Sequence, residues 1–142
     1  MIDIDNQSDL TLPINIITDI TQSLSKRDLE LLIVDEEQMR LINAEHRGID
    51  KSTDVLSFPF EEIPMAPLGS IIINAQAVLS VANDLGHTVE DEFTLLYIHG
   101  LLHLLGFDHE IDGGEMREKE EALIKAFNLP KSLIVRTQEK EV

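Results

Sequence analysis

Apolar and polar positions along the chain change period several times, and each change predicts an element. Ile2 and Ile4 alternate with acidic residues, the two-residue period of a short edge strand. Pro13 suits the first turn of a helix running to about Leu24. Leu29 to Val34, LELLIV, is an apolar run of strand length. A helix follows from about Glu36 to Glu45, with Met39, Leu41 and Ile42 apolar and Asp35 as its cap. After the polar loop HRGIDKSTD, Val55 to Phe60 reads as a strand, and Pro59 puts that strand at a sheet edge or ends its ladder. Glu61 to Leu68 holds two prolines and is loop; Ser70 to Asn74 is a further strand; Ala75 to Leu85 is a helix stopped by Gly86.

Thr88 or Glu90 opens a longer helix that Gly106 stops after Leu105. Its apolar residues, Phe93 through Leu105, cover nearly the whole circumference, so this helix is predicted to be central and buried. A last helix spans about Asp112 to Phe127, charged on its outer face, and Pro130 ends it; residues 137–142 form a frayed tail. The order predicts a single α+β domain over residues 1–142, with a mixed sheet of about four strands packed with about five helices.

Composition narrows the chemistry. A chain of 142 residues that is 43% apolar can bury one core. It has no cysteine, so any metal must be held by His, Asp or Glu. The first twenty residues lack a basic segment and no apolar run is long enough to cross a bilayer, which predicts a soluble, cytoplasmic protein. A net charge of -16 argues against broad charge-driven nucleic-acid binding. It leaves room for a local positive site built from a metal ion and one or two cations, with Arg40, Arg47 and Lys51 as a loose basic group. The six Phe and Tyr residues form no interleaved stacking platform.

The candidate chemistry sits in IHGLLHLLGFDHE, residues 98 to 110. His99 and His103 are four apart on the central helix, one turn above the other on one face. Gly106 ends the helix and lets the chain turn back, bringing His109 toward the same point. Three imidazoles with no fourth protein ligand leave one position open for water, the mark of a catalytic zinc site. Zinc suits three imidazoles, and nickel, copper or iron are alternatives. The spacing overlaps the three-histidine metalloprotease motif, but position 100 is glycine where that motif has its general-base glutamate. Met116 allows comparison with a methionine turn and is equally a core residue of the last helix.

With these residues in place the sequence resembles the YbeY family of bacterial endoribonucleases. The family signature H-G-x-L-H-L-x-G-[YF]-D-H is matched by His99, Gly100, Leu102, His103, Leu104, Gly106, Phe107, Asp108 and His109. A second stretch is matched by Asn43, Arg47 and the run Thr53 to Pro59, and a third in part by Gly69 and Ile71. His46 stands where the family has an aromatic before the arginine, and Ser70 where it has an aspartate. The resemblance implies a zincin-like site with one zinc ion, and cleavage of single-stranded RNA during ribosomal RNA maturation. The implied partners are rRNA precursors, ribosomal proteins or a ribosome-associated GTPase, with no role for DNA or membranes. It also implies a role for Arg47 in stabilising charge at the phosphorus, whereas composition alone favours a surface ion pair for that residue.

Asp108 has two candidate roles: accepting a hydrogen bond from the second nitrogen of a ligand, or capping backbone donors in the turn. Ser57 either lines the groove as a catalytic side chain or is an ordinary outward-facing strand residue. Thr53 and Asp54 read as turn formers, His46 and His87 as non-ligands, and Glu92, two turns before His99, as a possible support for the ligands. Besides the RNase, two readings compete. One is a metallopeptidase, which Gly100 disfavours, and the other is a non-catalytic assembly factor whose metal only stabilises the fold.

Overall fold

The computed structural model describes residues 1–60, 65–108, 110–130 and 133. Four strands and five helices run through them: β1 (Ile2–Asn6), α1 (Ile14–Leu24), β2 (Leu29–Val34), α2 (Glu36–Arg47), β3 (Val55–Pro59), β4 (Gly69–Asn74), α3 (Ala75–Leu85), α4 (Val89–Leu104) and α5 (Glu115–Ala126). The sheet order is β1-β2-β4-β3. β1, β2 and β4 are parallel, and β3 closes the far edge antiparallel to β4. The fold is the α+β architecture expected, with a mixed sheet of four strands and five helices.

Side chains alternate across the sheet, so its two faces hold different clusters. Leu29, Leu31 and Ile33 of β2 and Ile71 and Ile73 of β4 pack with residues of α1, α3, α4 and α5. Val34, Leu56 and Ile72 meet Met39 of α2 on the other face. Ser70 alternates with Ile71 and so faces away from α4.

Local signals fix most element ends. Asp35 accepts from the Gln38 amide at 2.8 Å, and the Gln38 side chain returns to the cap, forming a capping box. α2 then runs two residues further than the periodicity predicts, to Arg47, before Gly48 stops it with φ 69. Pro59 ends β3 on the sheet edge, where its missing N–H costs no ladder bond. α5 starts three residues later than expected: Asp112 stays in the preceding turn, where its carboxylate accepts from the Gly114 amide and from the Met116 amide in the first turn of the helix. Met116 is fully buried in the main core, as the core reading of that residue expects. The expected loop falls partly on residues 61–64 and the frayed tail on 137–142, and both lie outside the described residues. No helix among the described residues is long and apolar enough to cross a membrane.

Candidate metal centre

α4 carries the site. Its start is capped by Thr88, whose hydroxyl accepts from the Asp91 amide at 3.1 Å. Twelve of its sixteen residues are buried, a consequence of the all-round apolar pattern. Gly100 lets it approach the sheet closely: a Cβ there would stand 2.9 Å from Ile71 Cγ2, 3.1 Å from Ser57 Oγ and 3.3 Å from Val55 Cγ2. Position 100 therefore has no room for the glutamate of the protease motif.

His99 is buried and His103, one turn on, is half-buried. Their Nε2 atoms lie 3.2 Å apart, with the rings edge to face. Each Nδ1 is held from behind. His99 Nδ1 lies 2.7 Å from Glu120 Oε1, and His103 Nδ1 lies 3.0 Å from the Phe107 carbonyl oxygen. A carbonyl oxygen only accepts, so His103 carries its proton on Nδ1 and turns an Nε2 lone pair toward His99. Two nitrogens each about 2.0–2.1 Å from a tetrahedral zinc ion stand about 3.3 Å apart. The observed 3.2 Å fits a shared cation, which removes the repulsion between lone pairs at that distance. The third expected ligand, His109, lies outside the described residues, and among the described residues no cluster of three or more potential ligands occurs.

The histidine pair opens into a cleft of about 530 Å³ that is also lined by Arg47, by Asp54, Val55, Leu56, Ser57 and Pro59 at the β3 edge, by the turn from Gly106 to Asp108, and by Glu110. Arg47 reaches it from the last position of α2, although α2 packs on the opposite face. Its guanidinium makes no hydrogen bond or ion pair with a described residue. The surface ion pair that composition favours for a basic residue here belongs to Arg40 instead, which binds Glu37 and Asp50.

The remaining candidates separate. Ser57 lines the cleft, but its hydroxyl donates to the Gly100 carbonyl at 3.0 Å and so ties β3 to α4. Asp108 also lines the cleft, and its carboxylate accepts from the Glu110 amide at 3.0 Å, the turn-capping role of the two considered. For the two described histidines, the partner on the second nitrogen is Glu120 or the Phe107 carbonyl, not Asp108. Asp54 accepts from the Val55 amide, in keeping with a turn former. Glu92 is fully buried on α4 without lining the cleft. His46 rests against Phe58, with ring centroids 5.2 Å apart, and like His87 is not among the cleft residues. Glu120 escaped the pattern reading, yet it had a signal. It falls on the stripe of Met116, Leu123 and Ile124, and a carboxylate on a core-facing stripe needs a buried partner.

Fold and site together define a small α+β protein with a histidine-bearing helix at the base of an open cleft. Residues 3–128 match the family model described as endoribonuclease YbeY. The chain is 60% identical over 140 residues to an endoribonuclease YbeY from a Nitratiruptor species, covering 98% of this chain and 97% of the relative. It is 56% identical over 138 residues to an endoribonuclease YbeY from Sulfurimonas denitrificans, covering 97% and 99%. The solution structure of TM1509 from Thermotoga maritima superposes with a TM-score of 0.62 at 27% identity, covering 89% of each chain. The chain belongs to the endoribonuclease YbeY family.

Proposed function

We propose that this chain is a metal-dependent endoribonuclease that hydrolyses phosphodiester bonds in single-stranded RNA during ribosomal RNA maturation. The observation that carries the metal reading is the convergence of His99 and His103 Nε2 at 3.2 Å inside the cleft that Arg47 lines. The endoribonuclease name of relatives at 56% and 60% identity supports RNA as the substrate.

In this reading His99, His103 and His109 hold one zinc ion. An ion held by them would supply Lewis-acid chemistry, polarising a phosphoryl oxygen and lowering the pKa of water. Arg47 binds a phosphate through two parallel N–H bonds and offsets the negative charge that grows at phosphorus. The Phe107 carbonyl keeps His103 in the tautomer that ligates through Nε2. Ser57 and Gly100 hold α4 against β3, so the histidines and the edge that borders the substrate keep their relative positions.

A net charge of -16 leaves little general affinity for RNA, which favours recruitment to rRNA precursors through ribosomal proteins or a ribosome-associated GTPase, in the cytoplasm. The lack of room for a glutamate at position 100 weighs against the peptidase.

RNA cleavage by wild type, His103→Ala and Arg47→Ala, with zinc content measured for each, tests the reading. His103→Ala is expected to lose both metal and activity. Arg47→Ala is expected to keep the metal and lose about 10²–10³-fold in rate, the scale for removing one charge-stabilising donor. Undiminished cleavage by a metal-free His103→Ala protein overturns the proposal.

A further inference from the structure

We propose that Glu120 is a positioning residue for the metal. It locks His99 in the tautomer that offers Nε2, and by doing so sets how tightly the ion is held. The inference rests on the metal-dependent reading and assigns part of that site to α5, an element outside the histidine motif.

Met116, Glu120, Leu123 and Ile124 are the buried residues of α5, and Glu120 is 1% exposed. A carboxylate taken that far from water is destabilising by several kcal/mol unless strong hydrogen bonds compensate it. One such bond runs to His99 Nδ1 at 2.7 Å, within the range of a charge-assisted bond. A neutral imidazole carries its single proton on one nitrogen and its lone pair on the other. A carboxylate at Nδ1 accepts, which keeps the proton there and leaves the lone pair on Nε2, the atom that faces His103 Nε2 at 3.2 Å.

His103 receives the equivalent service from the Phe107 carbonyl, a backbone group of the turn that follows α4. For His99 the acceptor at Nδ1 comes from 21 residues away. Asp108, though within the motif, directs its carboxylate to the Glu110 amide. Two neighbouring ligands are thus oriented by different means, one by the helix stop and one by the packing of α5 onto α4. Carboxylate support also raises the basicity of the ring it binds, an effect a neutral carbonyl gives more weakly.

Glu120→Gln keeps size and burial but replaces a pure acceptor by an amide with a donor end. When that end meets Nδ1, the ring proton moves to Nε2 and stands in the coordination path. The test uses the full chain and zinc alone as the probe. Zinc affinity is read by competition with a chromophoric chelator, and nitrogen NMR of the zinc-loaded imidazoles reads which nitrogen of His99 ligates. Wild type is expected to show His99 bound through Nε2, with a low-field proton on Nδ1. Glu120→Gln is expected to bind zinc about 10–100-fold more weakly, with that proton shifted upfield or lost. Equal affinity in a folded Glu120→Gln protein overturns the role of Glu120 alone. So does ligation of wild-type His99 through Nδ1, which needs no variant and decides the matter should Glu120→Gln fail to fold. A wild-type chain that takes up no zinc overturns the metal reading and this role together.

Discussion

Gly100 sets the distance between the histidine helix and the sheet, because a methyl group at that position meets Ile71, Ser57 and Val55 at 2.9–3.3 Å. Gly100→Ala is expected to cost about 1–3 kcal/mol as overpacking, read as a lower midpoint in denaturant; an unchanged midpoint would mean α4 has slack against β3. Tyr97, the single tyrosine of a chain without tryptophan, is fully buried, with its hydroxyl 2.7 Å from Thr21 Oγ1. Burial raises its pKa from 10.0 to about 12. The folded chain therefore holds this proton more tightly than the unfolded one. The contribution is fully present below pH 10 and is lost as pH rises toward about 12. Tyrosinate absorbance reports Tyr97 alone and is expected to titrate near 12 in the folded protein, while Tyr97→Phe should flatten the alkaline fall in stability. A midpoint near 10 in folded protein would remove the basis for that window.

At the scale of elements, caps and periods were legible because they are local. Asp35, Gly86 and Thr88 each act within a few residues, and the structure uses all of them. Asp35→Ala should cost about 1 kcal/mol through loss of the α2 cap, seen in thermal unfolding, with zinc uptake unchanged. Less legible was what α5 contributes. Its helical period showed where Glu120 points along its own axis, but not that His99 lies opposite. Ser57 was ambiguous for the same reason: alternation gives a strand two faces, and only the packing of α4 shows that this hydroxyl meets a carbonyl.

For the whole molecule, charge outweighs other surface properties. A net charge of -16 spread over one small domain repels itself, so added salt is expected to raise the melting temperature. The same charge leaves few cations for RNA contacts, and Arg47 is the one Lys or Arg among the described residues that line the cleft. With one or two phosphates neutralised, the slope of log affinity against log salt should be about -1. A much steeper slope would reveal a basic track elsewhere on the surface.

The order of elements, most of their boundaries, the buried central helix and the histidine spacing were determined by the sequence itself, since periodicity, capping and helix stops depend on neighbours a few positions apart. The passage of Arg47 from the far face of the sheet into the cleft and the hold of Glu120 on His99 were decided by tertiary structure alone. Each joins residues whose meeting depends on how helices dock across a sheet, and no local pattern encodes that distance.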